Sequence, residues 1–546
     1  MVNGRNGGIC CIGIALALLL TVGCGGGGDS KSVSATTIAG SVTAGTIDGA
    51  SLTVLDKSGA VVAGPVGVSD GMFSVDVPDE ALAGDLIFES VGGSYTDEAT
   101  GTPGVPAGTF SAYVTAGSLS AGSVVHIGAG STSIREAVRN GMEYSAAEAA
   151  FANAFGETVD IFTAIADPSS PAADATVDEL RAGLRNAAFS QLTLDLGLLP
   201  GEQSALLAAL GSDLADGDLD GQSSAGPVSV GVTSLPDDIR NLYERAVINF
   251  HDGPNDGTGL KNDQIGSFSF AKTAYAGDYR IEYSSYTDSM DMMGKADMTV
   301  GMDGPTEGRS VFSLSVADAS GTPVAGLNLS VVPWMFMDAH THTTPVDAVV
   351  DNGDGTYTCT VYYLMASSMA NGMMMGYWEL RVGIGDDTAY FYPTVAMAMG
   401  DTKKVTLKDA DDKIAGMMGD PPTVRNYYIF NEGLTGSTGS HTLKLFIATR
   451  QSMTNHPAVF VGAEFADENG AAWTVDTMTV EVSTNGGLTW LPLSDEGAGH
   501  WSVSGLTDLT SGDDALFEVR MSINGAAKTT DGMDSGGNAV FNITVP

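Results

Sequence analysis

Residues 334–342 read WMFMDAHTH, two thioethers and two imidazoles within one short stretch. Thioethers are soft donors that hold Cu(I) without losing a proton, and imidazole binds Cu(I) or Cu(II). In an extended chain, residues two apart share a face. Met335 with Met337, and His340 with His342, therefore each present two donors together. A second cluster, MASSMANGMMMGYW at 365–378, brings Met365, Met369 and Met373–Met375. The expected ligand set for copper is Met335, Met337, His340, His342, Met365, Met369 and Met374. The competing reading is packing. Methionine fills irregular cores and lies well against Trp334, Tyr377 and Trp378. Alternation buries one of each neighbouring pair, three consecutive methionines cannot face one site, and the histidines among threonines read as solvent-facing.

The methionines are not evenly spread: of 23, sixteen lie from Met290 to Met418, including Met290, Met292, Met293, Met397 and Met399. The stretch is almost free of cysteine, which excludes thiolate zinc and iron–sulfur sites there. Cys359 alternates within TYTCTVYY and reads as a small buried hydrophobe.

The whole chain sets the context. Its 546 residues suggest about three to five domains. Asp and Glu number 66 against 24 Lys and Arg, a formal net charge of -42. A chain this acidic lacks the basic footprint of nucleic-acid binding. Near the N-terminus, Arg5 precedes the apolar run ICCIGIALALLLTVGC, a secretory signal too short for a membrane span. Its end, Thr21 to Cys24, resembles the bacterial lipobox, with Thr where Leu is usual. The resemblance implies cleavage after residue 23, lipid on Cys24, a tether over residues 24–33, and the lipid bilayer as partner. Gly25 is not the Asp often associated with inner-membrane retention, so the expected location is the cell envelope at the outer membrane. With Cys10 and Cys11 removed and Cys24 acylated, Cys359 is the remaining thiol, so no internal disulfide forms.

Residues 34–127 alternate in short runs such as SLTVLD and MFSVDV between SG and DG turns, a pattern of antiparallel strands. Gly40-Ser41-Val42, Gly49 to Val54 and Gly71 to Val75 resemble carboxypeptidase-regulatory-like, or prealbumin-like, modules. From 133 to 250 the pattern becomes helical, alanine-rich with apolar residues three and four apart. Ser145 before Glu148 and Thr176 before Glu179 have capping-box spacing. Asp216-Gly217-Asp218-Leu219-Asp220-Gly221 resembles the opening of a calcium loop, but Pro227 stands where an EF-hand needs its Glu, and a turn is the alternative.

Residues 257–410 and 424–546 return to strand patterning, divided at KDADDKIAGMMGDPPTVRN. Asn485-Gly486 predicts a hairpin turn. The expected fold is thus mainly β, several immunoglobulin-like or prealbumin-like sandwiches with one helical region. Residues 309–384 resemble the YtkA-like family of secreted β-sandwich domains, related in theme to copper carriers and oxidase assembly. The resemblance rests on Gly321-Thr322-Pro323-Val324-Ala325-Gly326, Met335 to His340, Gly353-Asp354-Gly355-Thr356-Tyr357 and Met374-Met375-Gly376-Tyr377-Trp378. The family proline after the first Met is absent, and ASSMANGMM extends the segment before the last strand. The resemblance implies a copper-related envelope domain, with an envelope oxidase or copper-handling protein as partner.

His441, His456 and Met453 form a further small donor group in the last module, while His126, His251 and His500 read as solvated or locally satisfied. No serine nucleophile elbow, HExxH or phosphate loop occurs, so an enzyme is not expected. The function expected from sequence is a lipid-anchored envelope protein that binds Cu(I) for storage, sensing or delivery. The alternative is a structural or adhesive surface lipoprotein with no metal function.

Overall fold

The computed structural model describes residues 34–285, 304–416, 420–437, 439–533 and 535–546. The signal at 1–23, the tether at 24–33 with Cys24, and Met290, Met292, Met293, Met298, Met302, Met417 and Met418 lie outside these residues. The architecture is mainly β and multi-sheet, with a modest helical component. Among the described residues no helix is long and apolar enough to cross a membrane.

Strand Ala35–Val42 alternates so that Ile38 and Val42 are fully buried. It runs antiparallel to Met72–Pro78 and parallel to Val124–Ile127. The facing sheet is built from Val61–Gly67, Asp48–Asp56 and Leu86–Tyr95, with Val105–Pro106 and Thr109–Val114 also on the last of these. Gly40 lies where a side chain has no room: a Cβ there would sit 2.0 Å from the Val125 carbonyl oxygen and 2.2 Å from the Phe73 ring.

The parallel strand passes through Gly128 into the first of five α-helices among the described residues: α1 (Ala129–Arg139), α2 (Tyr144–Phe155), α3 (Val177–Asp195), α4 (Gln203–Asp213) and α5 (Ile239–His251). In α3, Leu184, Ala187, Ala188, Phe189 and Leu192 share the buried face, and in α5 Ile239, Tyr243, Ala246, Val247 and Phe250 do so. These faces and the strands of 34–127 share one hydrophobic core, which also takes in Tyr377 and Tyr392 from the next body. Thr176 and Glu179 form the expected capping box on α3. Ser145 does not cap α2, because that helix begins at Tyr144 with Glu143 as its N-cap. A cap must precede the first helical residue.

The second body is a sandwich. One sheet runs Thr273–Ala276, Tyr279–Ser285, Gly308–Ala317, Thr356–Tyr363, Val350–Asp351. The other runs Thr341–Thr343, Leu329–Phe336, Tyr377–Ile384, Asp387–Phe391. The third body pairs Lys404–Ile414, Thr423–Ser437, Ser440–Thr449, His500–Leu506 and Ser494–Gly497. Its second sheet holds Leu491–Pro492, Met478–Ser483, Asp514–Ile523 and Ala526–Lys528, with Ala539–Thr544 also on Asp514–Ile523. The charge run KDADDK, expected to mark a boundary, is part of strand Lys404–Ile414 and so belongs to this third body.

Gly40→Ala is expected to destabilise the first body by about 3 kcal/mol, the upper end of ordinary overpacking, because the methyl group meets backbone oxygen and an aromatic core. Chemical denaturation of the full chain, followed by far-UV circular dichroism, measures it.

Candidate functional site

The Met/His segment folds as strand Leu329–Phe336, a turn, and strand Thr341–Thr343. Met335 pairs with both His342 and Trp378 across the sheet. It is fully buried in the sandwich core with Cys359 and Trp378. Met337, Met365 and Met375 pack against that same core. Met369 and Met373 are exposed, at 44% and 53%. Met374 lines a cleft against the helices. The thioethers thus divide among a core, open solvent and a separate cleft, as inward packing of alternate residues requires.

The histidines also differ from expectation. His340 is exposed, but His342 is buried, edge-on to Trp378 at 5.7 Å. Its Nδ1 donates to the Thr343 carbonyl at 2.8 Å. Burial holds His342 below the usual imidazole range, with only partial opposition from that bond. Among the described residues no group of three or more His, Cys, Asp or Glu side chains is placed to hold a metal ion. These findings overturn the copper reading based on Met335, Met337, His340, His342, Met365, Met369 and Met374. In the acidic loop at 216–221, Asp213 accepts from the Asp220 and Gly221 amides at 3.3 and 2.9 Å, and Asp220 accepts from Gln222 at 3.0 Å. These carboxylates serve the turn.

One cluster of titratable groups lies where the second and third bodies meet. Tyr362 is fully buried and stacks on Phe446 at 4.0 Å, with Phe430 at 5.1 Å. Its hydroxyl donates to Glu432 Oε1 at 2.7 Å. His500 reaches Glu432 Oε2 with Nδ1 at 3.0 Å and Asp347 Oδ2 with Nε2 at 3.2 Å. Arg309 stands 3.6 Å from Glu432. Bonds to Asp347 and Glu432 raise the His500 pKa to about 10. Burial pushes Glu432 up, but His500 and Tyr362 outweigh it and leave the carboxyl below its ordinary value. Sequence reading missed this triad because His500, Glu432 and Asp347 lie far apart in the chain, and none carries a local motif.

A second imidazole is buried at the same joint. His456 Nδ1 lies 3.2 Å from Thr343 Oγ1, and the Thr343 amide donates to the Met453 carbonyl at 2.8 Å. Burial first, then neighbouring His342 and Arg450, lowers the His456 pKa to about 3. His441, grouped with it in the sequence, is fully buried inside strand Ser440–Thr449.

A cleft of about 1120 Å³ separates the helices from the Gly372–Met374 turn. Three of its charged lining residues are internally engaged. Arg185 donates to the Ile265 and Ser267 carbonyls at 3.0 and 2.7 Å, and Arg181 to Gln264 O at 2.6 Å. Glu157 accepts from the Tyr243 hydroxyl at 3.0 Å.

No family model and no curated protein matches the chain. Among solved structures, the adhesin InvE of Yersinia pseudotuberculosis is similar at 13% identity over 50% of this chain and 60% of that one, with a TM-score of 0.15. The Escherichia coli adhesin FdeC is similar at 17% identity over 44% and 60%, with a TM-score of 0.13. Domains 5-6 of the S-layer protein SbsC are similar at 13% identity over 44% and 92%, with a TM-score of 0.14. The chain spans about 60% of the length of the two adhesin structures. Scores this low carry no conclusion about fold or function.

The joint is expected to have two pH flanks. An imidazole held neutral by burial loses stabilisation as pH falls from 6.5 toward about 3, because the unfolded chain takes up the proton first. An imidazolium held by carboxylates has its full contribution below 6.5 and loses it as pH rises through about 10. His456→Phe should flatten the acid flank of a melting-temperature profile. His500→Gln should flatten the alkaline flank and cost about 2 kcal/mol near neutrality, since Glu432 loses a charged partner.

Proposed function

We propose that this chain is a structural or adhesive lipoprotein of the cell envelope, with immunoglobulin-like β bodies carried on a lipid anchor at Cys24 and no turnover of an external substrate. The observation that carries this reading is the joint between the second and third bodies. There the chain places its aromatic stack and its Glu432–His500–Asp347 network in a connection between bodies rather than around an open site. Polar contacts also connect the helices to the second body. Arg280 Nε meets Asp237 at 2.7 Å, Asn241 donates to the Tyr390 carbonyl at 2.7 Å, and Lys261 meets Asp338 at 2.7 Å. Such joints transmit orientation from one body to the next, which suits a protein that presents a surface at a distance from its anchor. The net charge of -42 keeps neighbouring copies apart on a crowded envelope.

The lipid anchor is supported by the apolar run, the small residues before Cys24 and the glycine-rich stretch after it. Dual or triple acylation at one cysteine anchors stably, since each buried methylene contributes about 0.8 kcal/mol.

Metabolic labelling with a fatty-acid analogue is expected to mark the wild-type chain and not Cys24→Ser. The variant should also leave the membrane fraction or accumulate as an uncleaved precursor. An unlabelled wild-type chain recovered in the soluble fraction overturns the anchor. Protease treatment of intact cells then tests surface presentation: digestion of the wild-type chain supports it, and full protection until the envelope is opened overturns it.

A further inference from the structure

Among the ion-paired lysines of the described residues, where Lys404, paired with Glu307, is 19% exposed, Lys528 is the most deeply buried. Its side chain is 4% exposed, and its Nζ lies 2.8 Å from Asp409 Oδ2 and 3.6 Å from Asp412 Oδ2. Lys57 and Lys261, by contrast, are 66% and 54% exposed and pair with Asp85 and Asp338 respectively. Asp412 is itself held in place, accepting from Arg425 Nε at 3.0 Å and from the Tyr427 hydroxyl. The Arg425 side chain is fully buried, and Lys528 Nζ lies over the Tyr427 ring, 5.4 Å from its centroid. A buried amine thus faces one carboxyl group at contact distance and a second, rigidly positioned carboxyl group close by.

That constellation has the parts of an amide-forming site: a nucleophile, an electrophilic carbon and a proton carrier. The 2.8 Å separation from Oδ2, plus a C–O bond of about 1.2 Å, bounds Nζ at about 4 Å from Asp409 Cγ. Fixed proximity of this kind replaces a bimolecular encounter by an intramolecular one. Burial supplies the drive. Two charges withdrawn from water are costly, and their conversion to a neutral amide removes that cost. The backbone around the pair is clamped, with the Lys408 and Thr529 amides each donating to the other's carbonyl at 2.7 and 2.8 Å.

We propose that Lys528 Nζ and Asp409 Cγ become joined by an isopeptide bond, with Asp412 as the catalytic proton carrier. The Lys528 ammonium gives a proton to Asp412 Oδ2, and the neutral amine attacks Asp409 Cγ. A C–N bond forms and one C–O bond of Asp409 breaks. The departing oxygen receives the proton carried by Asp412 and a second proton from the nitrogen, and it leaves as water. Ammonium and carboxylate become amide and water, with no change in net charge and no oxidant or cofactor. Asp412 returns to its starting state.

The bond would tie strand Lys404–Ile414, the first of the third body, to strand Ala526–Lys528 of the opposite sheet, across 119 residues of chain. The inference is independent of the anchor and of the surface role.

The test is mass spectrometry of the full chain, recovered folded from cells, denatured and digested with trypsin. The expected product is a branched species in which peptide Asp409–Lys413 is joined to Met521–Pro546, uncut at Lys528 and lighter than the sum by one water. Lys528→Arg, which keeps the charge, should abolish it. Asp412→Asn should leave the far-UV spectrum unchanged and reduce the branched species at least tenfold in protein of the same age. Full recovery of linear Asp409–Lys413 and Met521–Lys528 from the wild-type chain overturns the proposal and leaves an ion pair only. A branched species carrying the link at Asp412 overturns the assignment of Asp409. Undiminished branching in Asp412→Asn overturns the role of Asp412.

Discussion

Glu432 is nearly withdrawn from water between two sandwiches, and a carboxylate in that position is tolerable only with charged or hydrogen-bonding partners on every side. Tyr362, Arg309 and His500 supply them. Two of the three come from different bodies: Tyr362 from strand Thr356–Tyr363 of the second, His500 from strand His500–Leu506 of the third. Sliding one body over the other would strand the carboxylate, so the ion network sets register where the aromatic stack alone would tolerate rotation. Stacking of Tyr362 on Phe446 contributes area, and the Glu432 contacts contribute direction. Both are needed for a joint with one arrangement.

A parallel logic governs the first joint. Arg185 is 2% exposed within the helical core, and its guanidinium is satisfied by the backbone carbonyls of Ile265 and Ser267. That fixes the segment leading from α5 to the second body. Glu244, also buried, accepts from Ser269 Oγ at 2.8 Å and from the Ala271 amide at 3.2 Å. Burial raises its pKa to about 7, with those bonds opposing. Phe268 then enters the shared core against Tyr377 and Tyr392. The connecting segment is therefore held by polar groups on the helices and by aromatic contacts from the sandwich.

Alternation and helical periodicity made the secondary structure legible. Ile38 and Val42, or Leu184 and Leu192, are where pattern alone places core residues, and Cys359 is the buried hydrophobe its strand suggested. The site was far less legible. Period-two patterning says that Met335 and Met337 share a face, but not whether that face meets solvent or Trp378. The answer depends on the partner strand, 43 residues on from Met335 in the case of Trp378, and no local pattern encodes it. KDADDK illustrates the same limit: a run of charge reads as a solvated linker, yet Asp409 and Asp412 turn inward to a lysine and an arginine contributed from elsewhere. The capping boxes separate the two cases cleanly. Thr176 caps because α3 starts immediately after it, whereas one extra helical residue before Ser145 removes the geometry.

The basic residues carry a further consequence for the outside of the molecule. Only 24 Lys and Arg oppose 66 acidic groups. Arg185, Arg425 and Lys528 are buried at 2%, 0% and 5% exposure, and the Lys404 side chain is only 19% exposed. Arg245 lies over Tyr390, and Arg381 over Trp334. These cations are compensated by carbonyls, carboxylates and ring faces, while Lys57, Arg139 and Lys261 stay exposed and acidic groups such as Asp213 and Glu244 are buried as well. The field felt by an approaching molecule therefore stays strongly negative, as the composition implies. Like-charge repulsion at that surface is screened within about 8 Å at physiological ionic strength. Association between copies must then depend on salt in the opposite sense to the joints, whose buried pairs salt reaches poorly.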